Sequence, residues 1–297
     1  MSYAETIVQL RNVSKRFGSI QAMAQISANV HAGSIVGLVG DNGSGKSTLL
    51  RHIIGLYLPD SGNCTTFGCD AARLSPVELS RIGYVHQEGK LPDWMTARQL
   101  IRYVSAYYPT WNRDLERRYI AEFDVGLEDR VGNLSPGQRQ KLAILLAIAF
   151  EPELLILDEP ASALDPLARG RFLNLLLESI LEDNRTILIS SHILSDIEKI
   201  VDHIMIMRKG RLICNSPLDQ LRDTYIRFTL TALDAKLPDT LPFENIIKIE
   251  RSGRQARLIV HRATGETLKT AAENLNCDIE FNPLTLDELY EIVITTE

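Results

Sequence analysis

The stretch Gly40-Asp41-Asn42-Gly43-Ser44-Gly45-Lys46-Ser47-Thr48 holds the residue types and spacing of a phosphate cradle, G-x-x-x-x-G-K-S/T. The glycines let the backbone curl until several N–H groups face one point, and a helix opening at the loop's end adds the positive end of its dipole. A polyphosphate suits such a loop. Lys46 is long enough to reach β- and γ-phosphates, and the Ser47 hydroxyl can ligate the Mg²⁺ that accompanies them.

Two acids suit the same chemistry. Leu154-Leu155-Ile156-Leu157 runs into Asp158-Glu159-Pro160, and acids at the C-terminal end of a buried strand lie where open α/β sheets bind ligands. Asp158 is expected to hold Mg²⁺ through water, and Glu159 to orient or deprotonate the water that attacks the γ-phosphate. Ser135, Pro136, Gly137 and Gln138 open a helix: Ser135 is a good N-cap and Pro136 fits the first helical position. The N–H groups of Gly137 and Gln138 are then expected to form a second anion site. Lacking a lysine, it would complement a phosphate held mainly elsewhere; the alternative is a helix that is merely well capped. His192 follows the strand-like run Thr186 to Ser190 and is expected at the same rim as Lys46 and Asp158, unless it is a packing histidine. Gln87, at the end of the strand candidate Arg81 to His86, either offers its amide oxygen to the metal or is plain edge polarity. Phe17, just outside the first strand, either stacks on a purine ring or is a half-exposed core residue.

Periodicity supplies the elements that must position these groups. Ile35 to Val39 reads as a buried strand feeding the glycine loop, and Leu49 to Ile54 as the first turns of the helix behind it. Pro59 to Gly62 reads as a turn. From Glu88 to about Arg130 the period becomes helical, with helices expected over Ala97–Tyr107 and Asn112–Phe123. That insert gathers Trp94, Tyr103, Tyr107, Tyr108, Trp111, Tyr119 and Phe123, some for its own core and the rest for a partner helix. A helix over Pro166–Leu181 and a closing hairpin of Ile204–Met207 with Leu212–Cys214 follow. A short helix over Pro217–Arg222 ends this part. The remainder alternates strand-like runs with two helices, Gly265–Asn274 and Leu286–Ile292, an α+β appendage without catalytic motifs, read by default as packing or dimer support.

Composition limits the partners. With 45% hydrophobic and 24% charged residues, the 297-residue chain reads as globular and long enough for two domains. A net charge of -6 argues against a nucleic-acid partner, which would need a basic face. The longest apolar run, Leu142 to Phe150, is half of the ~20 residues a membrane span requires, and the start lacks a secretory signal, so a cytoplasmic location is expected. Cys64, Cys69, Cys214 and Cys277 have no metal spacing and are expected to be reduced thiols.

Taken in order, Phe17, Gly40 to Thr48, Gln87, Leu134 to Gln138, Leu154 to Glu159, Ser162 to Asp165 and His192 resemble the motif series of the ATP-binding cassette (ABC) family over roughly residues 4–222. The resemblance implies an α/β P-loop ATPase at 1–224, with a RecA-like sheet core, an antiparallel β subdomain and a helical subdomain at 88–130. A small α+β domain is left at 225–297. It implies that Phe17 stacks on adenine and that Gly40, Asp41, Asn42, Gly43, Ser44, Gly45, Lys46, Ser47 and Thr48 bind the phosphates of ATP. Ser47, Gln87 and Asp158 would serve Mg²⁺, with Glu159, His192 and Lys46 catalytic. Ser135, Gly137, Gln138 and Asp165 would meet the nucleotide of a second subunit, so that a homodimer, or a pair with a homologous ATPase subunit, closes around two ATP. Pro136 stands where the family usually has glycine and removes one donor. The family also implies a separate integral-membrane permease, docked on 88–130, which would hold this chain at the cytoplasmic face of the membrane. The stretches Tyr107 to Asn112 and Thr285 to Tyr290 look like those of members driving efflux permeases, antibiotic-resistance exporters among them. Two other readings remain: a cassette ATPase acting on ribosomes or nucleic acid, and a nucleotide-binding regulator without turnover.

Overall fold

The computed structural model describes residues 5–87, 90–183, 185–233 and 236–296. Glu88 and Gly89, where the helical insert is expected to begin, lie outside them. The chain forms two compact units that divide between Asn215 and Ser216, ahead of the 224/225 boundary expected from sequence. The first contains β1 (Thr6–Phe17), β2 (Ile20–His31), β3 (Ile35–Val39), α1 (Lys46–Ile53), β4 (Ser61–Thr66), β5 (Cys69–Asp70), α2 (Pro76–Leu79) and β6 (Ile82–Val85). It continues with α3 (Ala97–Ser105), α4 (Arg113–Phe123), α5 (Pro136–Ile148), β7 (Leu154–Asp158), α6 (Pro166–Asp183), β8 (Thr186–Ser191), α7 (Leu194–Ile197) and β9 (His203–Arg208). The unit boundary falls within β10 (Arg211–Pro217).

A six-stranded sheet in the order β10-β9-β3-β8-β7-β6 carries the first unit, and β9, β3, β8, β7 and β6 run parallel to one another. Strands covered on both faces read as near-continuous apolar runs, and β3, β7 and β8 are buried at every position, the polar residues of β7 and β8 standing at their ends. Register then aligns their ends. Val39 lies beside Ser191, Ser190 beside Asp158, and Leu157 beside Val85. Parallel strands deliver their C-terminal loops to one rim, so the segments after β3, β6, β7 and β8 emerge together.

An antiparallel sheet, β2-β1-β4-β5, packs its buried face into the same core through Val8, Leu10, Met23, Ile26, Val30 and Cys64. Neither β2 nor β4 is named by the sequence reading. In β2 the buried positions change parity between Met23 and Ile26, because Gln25 takes a left-handed φ of 53° and the ladder to β1 shifts register there. In β4, Ser61-Gly62-Asn63-Cys64-Thr65-Thr66 is mostly polar and borrows its strand character from pairing with β1. In the helical part α3 and α4 pack against α5, and Tyr119 and Phe123 stack at 4.3 Å, both buried.

The second unit comprises α8 (Leu218–Thr224), β11 (Tyr225–Ala232), β12 (Ile246–Ser252), β13 (Gln255–His261), α9 (Gly265–Asn274), β14 (Cys277–Asn282) and α10 (Leu286–Thr296). Its antiparallel sheet, β12-β13-β11-β14, buries Phe228, Leu230, Leu258 and Val260 with Leu268 and Ala272 of α9. This is an α+β fold with its own core. Among the described residues no helix is long and apolar enough to cross a membrane, and no group of metal-ligating side chains of cluster type occurs. None of the four cysteines forms a disulfide, and burial pushes the Cys64 thiol up to about 12.

Candidate active site

The loop after β3 closes tightly because two glycines permit it. Gly40 has φ 151°, and a Cβ there would meet the Met207 carbonyl oxygen at 2.2 Å; Gly45 has φ 109°, and a Cβ would meet the Ala22 carbonyl oxygen at 2.4 Å. Gly45 is the N-cap of α1 and no side chain caps the helix, so α1 starts at Lys46, before the expected Leu49, with its positive end open. Ile20, Ala22, residues 42–48, Gln87 and Glu159 line a cavity of ≈ 170 Å³. That is smaller than the ~300–1,000 Å³ of sites that enclose a whole organic ligand, and it suits the phosphate end of a nucleotide with the base outside.

Lys46 is almost fully buried, and its ammonium donates to the carbonyl oxygens of Gly40 at 2.6 Å and Asp41 at 3.2 Å. It also lies 3.6 Å from Glu159 Oε1. The other oxygen of Glu159, Oε2, accepts from His192 Nδ1 at 2.6 Å and from the His192 backbone N–H at 3.3 Å. The strand register therefore brings Lys46, Asp158, Glu159 and His192 to one point. Glu159 itself sits at φ 51°, a left-handed conformation uncommon for a non-glycine residue. Its N–H donates to Ser190 Oγ at 2.9 Å, and its carbonyl accepts from Ser162 Oγ at 2.9 Å. Ser190 is a residue the sequence reading passes over. Its signal is a small polar residue in the apolar run Thr186 to Ser191, facing a strand end that carries two acids.

Asp158 is fully buried, and its Oδ1 accepts from Ser47 Oγ at 3.0 Å and Ser190 Oγ at 2.8 Å. Its Oδ2 has no hydrogen-bond partner among the described residues. A buried carboxylate oxygen without a partner is costly unless a cation completes it. Ser47 shares the cavity wall with Gln87, and an all-oxygen donor set of its hydroxyl and the Asp158 carboxylate fits Mg²⁺.

The four residues expected to meet the nucleotide of a second subunit, and Phe17, stand outside this cavity. At the start of α5 a capping box closes on itself: Gln138 N–H donates to Ser135 Oγ at 3.3 Å, and Ser135 N–H to Gln138 Oε1 at 2.9 Å. The expected free N–H of Gln138 is therefore taken, because Ser135 at the N-cap and glutamine three residues on satisfy each other. Gly137 packs so close to the turn before α6 that a Cβ would meet the Ala163 carbonyl oxygen at 2.8 Å. Asp165 accepts from the Ala168 N–H at 2.9 Å, which holds its carboxyl below the usual carboxylate range; it caps α6. None of these residues walls the 170 Å³ cavity. Nor does Phe17, whose half-exposed ring packs edge-on against Tyr57 at 5.3 Å.

The helical part carries a separate groove of ≈ 760 Å³, lined by Trp94, Met95, Gln99, Arg102, Tyr103, Tyr107 and Arg130 among others. Trp94 is 71% exposed and Tyr107 68%. Tyr108 is not part of it. Its ring stacks on Phe150 at 3.7 Å, while Trp111 donates to Glu116 at 2.6 Å and Tyr119 and Phe123 fill the core.

Comparison with known proteins places this arrangement in context. A family model described as ABC transporter matches residues 23–162. The bacitracin transport ATP-binding protein BcrA of Bacillus licheniformis is 35% identical over 233 residues, 76% of this chain and 76% of that protein. A methionine import ATP-binding protein of Bacillus thuringiensis is 32% identical over 290 residues, 92% of this chain and 85% of that one. The solved dimer of an ATP-binding cassette in a post-hydrolysis state, bound to ADP and Pi, superimposes with a TM-score of 0.63 at 26% identity, over 71% of this chain and 98% of that chain.

Proposed function

The chain belongs to the ABC transporter ATP-binding family, and from that premise we propose that it binds Mg-ATP at residues 40–48, hydrolyses it at Glu159, and drives a separate membrane permease. The observation that carries this reading is the convergence of Lys46, Asp158, Glu159 and His192 at the rim where β3, β7 and β8 end. Lys46, now held by two backbone carbonyls and facing Glu159, would exchange them for phosphate oxygens. Its loss from Glu159 leaves that carboxylate free to accept a proton from the attacking water. As water bonds to the γ-phosphorus, the bond to the β,γ-bridging oxygen breaks, ADP leaves, and the proton passes to Glu159. His192 holds Oε2 and so fixes which oxygen faces the water. Mg²⁺, held by Ser47 and Asp158 with Gln87 near, would neutralise phosphate charge.

The site is open on one side, and Ser135 and Gly137 are presented at the start of α5, outside the cavity. We read this as half of a composite site, completed by a second copy or a homologous subunit in a two-fold pair. ATP then favours closure because it finds all its contacts only in the pair. The aromatic groove of the helical part suits the permease, and the exporter-like stretches at Tyr107 to Asn112 and Thr285 to Tyr290 favour efflux; the relatives include proteins named for import, so direction is read from these stretches alone.

Glu159→Gln is the direct test. Replacing the base while keeping its shape should lower phosphate release by at least about a hundredfold, with ATP still bound and a dimer accumulating in gel filtration. Turnover at the wild-type rate would remove Glu159 from the chemistry, and a monomer in saturating Mg-ATP would remove the composite site.

A further inference from the structure

Ser190 stands opposite Asp158 in the parallel register of β8 and β7, fully buried. Its hydroxyl donates to Asp158 Oδ1 at 2.8 Å and accepts from the Glu159 N–H at 2.9 Å. Resting on the proposed roles of those two acids, we infer that Ser190 is the positioning residue that sets both at once. One hydroxyl fixes the rotation of the metal-facing carboxylate and the backbone of the residue that activates water.

Each half of the inference has its own geometry. A left-handed residue other than glycine persists only where its surroundings over-determine it. Glu159 is clamped on both sides, its N–H by Ser190 and its carbonyl by the hydroxyl and N–H of Ser162, at 2.9 and 3.2 Å. Without the Ser190 oxygen, that buried N–H loses its acceptor and the turn that carries the carboxylate to Lys46 and His192 loosens.

Asp158 presents the second half. Its Oδ1 takes hydrogen bonds from Ser47 and Ser190, which leaves Oδ2 as the oxygen without a partner among the described residues. Ser47 is also the hydroxyl that fits Mg²⁺. Once it turns to the metal, Ser190 is the donor still holding the carboxylate. Ser191 cannot replace it, because its hydroxyl is engaged with the backbone of Ile193.

The experiment compares full-length Ser190→Ala with wild type, and Ser190→Ala/Glu159→Gln with Glu159→Gln, using Asp158→Asn as a reference. Steady-state turnover is read alongside binding of a fluorescent ATP analogue with Mg²⁺ and with EDTA, and amide exchange at Glu159. Ser190→Ala should lower kcat about 10- to 100-fold, as loss of an outer-shell partner does, and KM for Mg-ATP should rise only as far as the Mg²⁺-dependent affinity falls. The affinity gained on adding Mg²⁺ should shrink, affinity in EDTA should hold, and the Glu159 amide should exchange faster. Retention of kcat within about twofold of wild type, or equal loss of affinity with Mg²⁺ and with EDTA, overturns the inference. If Asp158→Asn also keeps full turnover and its Mg²⁺ gain, the reading of the acid pair fails; if only Ser190→Ala does, the inference alone fails.

Discussion

At the scale of single residues, the decisive feature is a lysine held in reserve. The Lys46 ammonium is buried and satisfied by two backbone carbonyls, with a carboxylate at 3.6 Å, so no phosphate is needed for it to be stable in place. On the proposed reading, nucleotide binding would exchange one set of charge-assisted partners for another, so the lysine would cost little to recruit. Lys46→Ala removes that exchange and leaves Glu159 buried without its cation. A hydrogen bond to a charged group contributes about 1.5–3 kcal/mol, so nucleotide affinity measured by titration calorimetry should fall roughly 10- to 100-fold or more. An unchanged affinity would show that the glycine loop is not the phosphate cradle.

At the scale of elements, the site is set by strand register, and register is pinned where β3 and β9 begin. Asp202 Oδ2 accepts from the Ile35 N–H at 3.0 Å, and the Asp202 N–H donates back to the Ile35 carbonyl at 3.0 Å. Burial raises the Asp202 carboxyl above its usual range, partly offset by the Ile35 bond. A raised folded pKa means that this group's contribution is complete below the unfolded value of about 3.9 and is lost as pH climbs through the higher folded value. Asp202→Asn keeps an acceptor for Ile35 without the charge. Its stability relative to wild type should therefore rise between the unfolded aspartate value and neutrality, measured by denaturant midpoints at several pH values. A difference that is flat with pH would mean that the carboxylate carries no burial penalty.

At the scale of the whole molecule, the rim that carries Lys46 and Glu159 is one surface and a groove of exposed aromatics is another. Trp94 and Tyr107 are exposed side by side with Tyr103, and the Tyr107 hydroxyl donates to that of Tyr103 at 2.8 Å, which fixes two rings as a wall. Large exposed aromatics at a groove are the kind of anchor that dominates binding energy. Trp94→Ala with Tyr107→Ala should cost little stability, leave basal Mg-ATPase unchanged within about twofold, and lower co-purification with the permease at least about tenfold. Normal recruitment would move the docking surface elsewhere. Tyr108 is not part of that test, because its ring is spent on Phe150.

How much of this was legible in the residues follows from how each group obtains its partners. The glycine loop, the apolar strands β3, β7 and β8, and the acids at Asp158 and Glu159 carry their information locally, in backbone freedom, in hydrophobic runs and in residue order; the chain alone determined them, and with them the phosphate chemistry. What lay beyond reach depends on a partner remote in sequence. β4 is a strand because β1 pairs with it, and Tyr108 leaves the groove because Phe150 lies within stacking distance. Ser190 is the sharpest case: thirty-two positions separate it from Asp158, and only the packing of two parallel strands puts its hydroxyl between the acids. The sequence chose the reactive groups, and the tertiary structure decided their orientation, because a hydrogen bond is directional over a few ångströms while sequence separation says nothing of distance in the folded chain.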